Sequence, residues 1–262
     1  GDTGKAALEG FAGVDGVKIM VFFPEDGVSP VQKLQMTTQE GENTCVVGIR
    51  GNFDDAQSAV KQIFTDASLA EELLQKGYRF SSANSINIGR LVPQIVYYYW
   101  AYIQAVKQGE ITWGQPLDFT VPTGNFGDIL AGWYAAQMGL PAGHFVCASN
   151  DNKVLYDFFR TGTYDKNRAF HVTVSPSMDI LISSNLERLL CHMGGQDATQ
   201  AEMADLQTKG IYKADITDNS ISGEYATEAE TFDAIRTVYQ NTGYVMDTHT
   251  AVAYAAYQKY KA

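Results

Sequence analysis

The sequence predicts an α/β fold with mostly parallel sheets flanked by helices. Dense apolar runs of strand length recur along the chain, each followed by a segment with helical spacing, and the order strand, turn, helix appears twice in succession between residues 117 and 159. The run over 17–23 is dense in apolar residues, which marks a buried strand.

The elements follow in order. Residues 3–12 are small and helix-compatible, and Val17-Lys18-Ile19-Met20-Val21-Phe22-Phe23 reads as a buried strand. After the Pro and Gly punctuation of residues 24–30, helical spacing over 31–37 and a short apolar run over 45–49 give a helix and a second strand. Asn52 is placed to cap a helix whose first turn carries Asp54 and Asp55, with helical segments expected over 56–64 and 69–74. Asn84 or Asn87 caps the next helix, predicted to be long because Ile88, Leu91, Val92, Ile95, Tyr98 and Tyr99 recur at spacings of three and four. Strands over 117–122 and 144–148 each lead into a helix, over 129–138 and 153–159. From residue 198 onward helical patterns dominate, with helices expected over 228–240 and 248–261. A domain boundary is placed near residues 81–90, giving a smaller α/β domain over 1–85 and part of a larger one, with a helical C-terminal region, over 86–262.

Composition narrows the function classes. The 262 residues are 45% hydrophobic, enough for a real core, and the net charge of -11 argues against a nucleic-acid partner or an anionic membrane surface. The longest apolar stretches fall well short of the roughly 20 residues a membrane helix needs. Three cysteines without C-x-x-C spacing read as buried free thiols in a reducing, cytoplasmic setting. The four histidines are scattered, which argues against a catalytic metal, and neither G-x-S-x-G nor an activated cysteine is present. The aromatic run Tyr97-Tyr98-Tyr99-Trp100 fits helix packing better than base stacking.

Three constellations could bind anions. In Val121-Pro122-Thr123-Gly124-Asn125-Phe126-Gly127-Asp128 a strand runs through a glycine turn into a helix, so backbone N–H groups and the helix's positive end can converge on a phosphate. The bland alternative is an ordinary tight turn with Gly127 allowing close packing. In Ser81-Ser82-Ala83-Asn84-Ser85-Ile86-Asn87-Ile88-Gly89-Arg90 amides and hydroxyls lead to one arginine at a helix start, a fork suited to carboxylate or phosphate. Here the alternative is capping by the asparagines and a surface ion pair for Arg90. The third, Gly1-Asp2-Thr3-Gly4-Lys5, is a polar glycine turn feeding a helix, with Lys5 read as solvated. Ser175-Pro176-Ser177-Met178-Asp179 and Ser183-Ser184-Asn185 add hydroxyls around a turn, where simple capping would account for them.

Gly1-Asp2-Thr3-Gly4-Lys5-Ala6-Ala7, Phe23-Pro24, Ser29-Pro30-Val31-Gln32, Asn84-Ser85-Ile86-Asn87-Ile88-Gly89-Arg90, Gly124-Asn125-Phe126-Gly127-Asp128 and Ser175-Pro176-Ser177-Met178-Asp179-Ile180 resemble threonine synthase in the same order over nearly the whole chain, and Asp247-Thr248-His249-Thr250-Ala251 is similar to a later family segment. The resemblance implies the tryptophan-synthase-β-like fold of pyridoxal-phosphate enzymes (fold type II), two α/β domains with pyridoxal 5'-phosphate as cofactor. It implies conversion of O-phospho-L-homoserine and water to L-threonine and phosphate by elimination and hydration. Carried over by position, Gly124, Asn125, Phe126, Gly127 and Asp128 are expected to cradle the cofactor phosphate, with Asp2 beside the cofactor ring, where related enzymes often carry Asn. Thr3 is expected at the substrate carboxylate, and Asn84, Ser85 and Arg90 at the substrate phosphate, with Arg90 and the 124–128 amides facing one cleft. The family's Schiff-base lysine sits in a Phe-Lys-Asp segment that the sequence lacks. It is therefore expected upstream of Gly1, the ring-nitrogen partner is expected beyond Ala262, and this stretch is expected to be an incomplete, inactive part of a monomeric or homodimeric cytoplasmic enzyme. A related lyase or dehydratase and a noncatalytic anion-binding module remain the alternatives.

Overall fold

The computed structural model describes residues 2–51, 53–84 and 87–262, with the backbone alone for Phe53 and Asp54. The Asn52 cap and the role of Ser85 therefore lie outside the described residues. The chain divides into two compact units, Gly1–Asn84 and Ser85–Ala262.

The first unit runs α1 (Asp2–Phe11), β1 (Ile19–Pro24), α2 (Pro30–Thr37), β2 (Thr44–Ile49), α3 (Phe53–Thr65) and α4 (Ala67–Gln75). β1 and β2 pair in parallel, Ile19 opposite Thr44 through Pro24 opposite Ile49. Their connection is α2, whose start is written in Ser29-Pro30-Val31-Gln32. Ser29 Oγ accepts from Gln32 N at 3.2 Å, Gln32 Oε1 accepts from Ser29 N at 3.1 Å, and Pro30 occupies a first-turn position where no N–H is needed. The core is small: Leu8, Phe23 and Met36, with Ile19, Val21, Val28 and Val46 packed around them. Gly4 explains part of the opening motif. A Cβ there would lie 2.8 Å from Val21 Cγ1 and 3.2 Å from Met36 Sδ, so only glycine lets α1 lie this close to the sheet.

In the second unit the predicted long helix is divided. α5 (Ile88–Leu91) is followed by a 3-10 turn at Val92–Gln94 and then α6 (Ile95–Lys107). Pro93 is the cause, because it has no N–H to donate to the carbonyl of Gly89 and the helical ladder breaks there. Of the two candidate caps it is Asn87 that acts, its Oδ1 accepting from Gly89 N at 2.9 Å. The chain continues through β3 (Leu117–Pro122), α7 (Gly127–Gln137), β4 (Ala142–Ser149), α8 (Val154–Thr161) and β5 (Thr163–Asp165). It then runs through α9 (Leu186–Gly194), α10 (Gln196–Thr208), β6 (Ile211–Lys213), β7 (Ile221–Tyr225), α11 (Glu228–Thr242) and α12 (Thr248–Lys261).

β3, β4 and β7 form a parallel sheet with β4 in the centre, and β5 and β6 an antiparallel pair. α12 covers one face of the three-stranded sheet, where Ala148, Met178, Ala226, Val252 and Ala256 meet, while α7 and α8 cover the other. On that second side Val121, Phe126, Ile129, Phe145, Cys147, Leu155 and Phe158 belong to the main core. Helices on both faces bury the central strand β4, in which every residue from Phe145 to Ser149 is buried. Helix dominates after residue 198, in α10, α11 and α12, and the short strands β6 and β7 lie between α10 and α11 without an apolar pattern that announces them. β7 (Ile-Ser-Gly-Glu-Tyr) lacks an apolar run because only Ile221 and Gly223 are buried. The cysteine expectation is corrected: Cys147 is buried, but Cys45 and Cys191 are exposed, occupying outward positions of β2 and α9.

Candidate anion-binding site

The site is built at the carboxyl end of β3, where ligands collect in open parallel sheets. Thr123 N donates to Ala148 O at 2.8 Å, holding the strand end against β4, and its hydroxyl donates to Val121 O at 2.7 Å. The next residues turn sharply into α7 with Phe126 at φ 64 and ψ 3, the left-handed region that L side chains avoid. Such a conformation costs about 1–3 kcal/mol and persists only where packing imposes it. Here the Phe126 ring is buried and stacks on Phe159, centroids 5.9 Å apart.

The turn's carbonyls are all engaged on one side. Gly124 O accepts from Ser183 Oγ at 2.7 Å, Asn125 O from Asn185 N at 3.1 Å and Asn185 Nδ2 at 3.0 Å, and Phe126 O from Leu130 N at 3.2 Å. Asn125 Oδ1 accepts from Ser184 Oγ at 3.3 Å. Ser183, Ser184 and Asn185 are thus braces of this turn, and none of them caps a helix through its side chain. Among the described residues no acceptor meets the N–H groups of Gly124, Asn125, Phe126, Gly127 or Asp128. Acceptors turned into the protein and donors left over at a helix N-terminus make an anion receptor. Gly124 is obligatory for another reason: a Cβ there would fall 2.3 Å from Ser177 O.

Asp128 contributes its N–H to this end of α7, but its carboxylate is tied elsewhere. Tyr98 Oη donates to Asp128 O at 2.9 Å and to Asp128 Oδ1 at 3.2 Å. Desolvation by the surrounding protein raises the Asp128 carboxyl pKa above its ordinary value, and the Tyr98 bond opposes that shift. Arg90 lies on α5, which packs on α7, and Leu91 beside it shares the core cluster of Phe126. Burial pulls the guanidinium's pKa down, with Tyr97 opposing, yet an arginine remains cationic.

The remaining candidates belong to the first unit. Asp2 and Thr3 are the exposed first residues of α1, not a turn, and Asp2 Oδ1 accepts from Gln32 Nε2 at 2.8 Å. Asn84 is half-buried, its N–H donating to Ser82 Oγ at 3.3 Å. Lys5 pairs with Glu9 at 2.6 Å in an i,i+4 bridge.

Two segments that the sequence presents far apart are joined. Thr248 Oγ1 donates to Val174 O at 2.6 Å and Ser177 N donates to His249 Nε2 at 3.2 Å. Asp247 caps α12 by accepting from His249 N and Thr250 N. A groove of about 360 Å³ between α9 and α10 is lined by Arg188, Cys191, Thr199 and Met203 and includes none of the candidate residues. Among the described residues no cluster of three or more His, Cys, Asp or Glu side chains could hold a metal ion, and no helix is long and apolar enough to cross a membrane.

A parallel α/β sheet with a glycine turn running from a strand end into a helix places the chain in the α/β class, with a turn of the kind that suits an anion. The model of the pyridoxal-phosphate dependent enzyme family matches residues 1–262, and the chain belongs to that family. It is 44% identical over 267 residues to human threonine synthase-like 1, covering 97% of this chain and 36% of that protein. It is 39% identical over 279 residues to the threonine synthase of Schizosaccharomyces pombe, covering 96% and 53%. Among solved structures, pyridoxal-phosphate-bound threonine synthase from Brucella melitensis superposes with a TM-score of 0.84 at 40% identity, over 99% of this chain and 55% of that one. The fold is therefore type II of the pyridoxal-phosphate enzymes, and the chain spans about half the length, or less, of the relatives it matches. The turn fits the cofactor's phosphate: it offers several neutral backbone donors that meet no acceptor among the described residues, and the Asp128 carboxylate accepts from Tyr98.

Proposed function

We propose that this chain forms part of a threonine synthase, acting on O-phospho-L-homoserine and water to give L-threonine and phosphate. The observation that carries the reading is the 124–128 turn, with its carbonyls engaged and its amides open, in a chain of this family. Bound pyridoxal 5'-phosphate would supply the electron sink that lets a carbon-bound proton leave the substrate. The chain's own residues bind and orient. The N–H groups of Gly124, Asn125, Phe126, Gly127 and Asp128 hold the cofactor's phosphate, and the buried Phe126 ring keeps them aimed. The Arg90 guanidinium takes the substrate phosphate, ground state and leaving group alike, with Asn84 and Ser85 assisting. Asp2 lies at the cofactor ring and Thr3 at the substrate carboxylate. The lysine that holds the cofactor belongs to a Phe-Lys-Asp segment absent from these residues, so a polypeptide limited to them releases no phosphate from O-phosphohomoserine.

The test uses the complete protein that carries this chain. It should form threonine and phosphate in equal amounts, and Arg90→Ala should raise KM about 10- to 150-fold, the equivalent of the ~1.5–3 kcal/mol of a charge-assisted hydrogen bond. A keto acid in place of threonine would assign a lyase that stops after elimination. Absence of any turnover together with tight phosphate binding would leave an anion-binding module.

A further inference from the structure

Asp179 is 8% exposed and its carboxylate accepts four hydrogen bonds. Asn150 Nδ2 reaches Oδ1 at 2.7 Å, Asn152 Nδ2 at 3.0 Å and Thr173 Oγ1 at 2.8 Å, while Thr173 N reaches Oδ2 at 2.8 Å. Every one of these donors is neutral, and no lysine, arginine or histidine forms an ion pair with Asp179 among the described residues. A buried carboxylate without a countercharge is expensive, and an amide of the same shape would be the cheaper residue unless all its contacts must be donors to it. That is the situation here, because an asparagine's NH2 group would face at least one donor with nothing to accept it.

The carboxylate ties two stretches together. Asn150 and Asn152, both 3% exposed, follow directly on β4. Asn152 also pairs with the backbone of His171 in both directions, at 2.9 Å and 2.7 Å. The segment from His171 to Asn185 is thereby fastened to the end of β4, and Val174 N adds a bond to Glu228 Oε1 at 2.9 Å. This fastened segment is the one that braces the turn: Ser177 O fills the space where a Gly124 side chain would stand, and Ser183 and Asn185 hold the Gly124 and Asn125 carbonyls. Among the described residues Asp179 forms no hydrogen bond with residues 124–128, and it acts through its neighbours in the segment.

We propose that Asp179, at the centre of the Asn150, Asn152 and Thr173 knot, is a positioning residue that sets the aim of the 124–128 amides toward a phosphate. The proposal rests on the reading of that turn as the cofactor-phosphate cradle. A displaced brace swings the amides, and misplacement of about 1 Å is enough to lose two orders of magnitude in a positioned interaction.

The experiment uses the complete protein with Asp179→Asn, Thr173→Val and Thr173→Ser, and with Leu140→Ala, beyond the opposite end of α7, as a control for plain loss of stability. The first readout is hydrogen exchange at the Asn185 amide, whose acceptor is Asn125 O. The second is the Kd for pyridoxal 5'-phosphate, measured well below each variant's Tm. Asp179→Asn and Thr173→Val should speed Asn185 exchange and raise Kd by roughly tenfold or more, Thr173→Ser should restore both, and Leu140→Ala should lower Tm without moving either. Should Asp179→Asn fail to accumulate as folded protein, the Thr173 pair carries the same comparison. Unchanged Asn185 exchange in Thr173→Val or Asp179→Asn overturns the proposal. Failure of the unsubstituted protein to bind pyridoxal 5'-phosphate overturns the reading of the turn instead, and Asn185 exchange then still reports whether Asp179 holds the brace.

Discussion

In the Gly1–Asn84 unit two parallel strands lean on a core cluster of Leu8, Phe23 and Met36, whereas in the Ser85–Ala262 unit a three-stranded sheet is covered by α12 on one face and by α7 and α8 on the other. The contrast is one of redundancy. A two-stranded sheet is marginal without packing partners, and α4 contributes no buried residue at all. Any one of Leu8, Phe23 and Met36 carries a large share of the small core. Loss of one side chain in the larger core is shared among many neighbours.

The comparison is broken most directly by Leu8→Ala. Removing a fully buried leucine costs about 2–5 kcal/mol. The expected outcome is loss of amide protection in β1 and β2 with that of β3 and β4 retained, as read by hydrogen exchange. Equal loss in both units would show that they melt as one.

Thiol labelling sharpens the same contrast more gently. Burial pushes the Cys147 thiol up to about 12, while Cys45 and Cys191 are exposed. At pH 8 a disulfide reagent should modify two thiols promptly, and the Cys147 thiol, packed in the larger unit's core, only as that unit unfolds. Prompt reaction of all three would mean that the core opens locally.

The smallest effect is expected at Asp128. Its folded pKa is raised, so the folded state holds that proton more tightly than the unfolded chain and stability falls as pH rises from the ordinary carboxylate value through the folded one. Asp128→Asn has no such step. The difference in Tm between variant and native protein should shift toward the variant over that pH window, modestly, because solvent reaches the side chain. A constant difference across the window would remove the shift.

Local pattern made much of this fold readable in the sequence. β3 and α12 fall where the strand-length run and the helical pattern indicate, and the strand, turn, helix at 117–137 is announced by its own glycines. Of what escaped, Pro93 alone left a local signal, a helix breaker within the apolar spacing. β7 is short and half polar because neighbours, not its own apolar run, bury it, and Pro93 divided a helix whose apolar spacing alone reads as continuous. The segment 171–185 reads as loose hydroxyls and caps. Its bonds to Asn150, Asn152, Glu228 and Thr248 join positions too far apart in sequence for spacing to reveal.

The vacancy at Gly124 has a practical meaning. Because the carbonyl of Ser177 occupies it, the glycine turn and the later segment are two halves of a single fitted joint. Anyone transplanting residues 121–130 into a foreign scaffold to capture a phosphorylated ligand would have to carry the matching piece along, or lose the shape that makes the graft worth attempting.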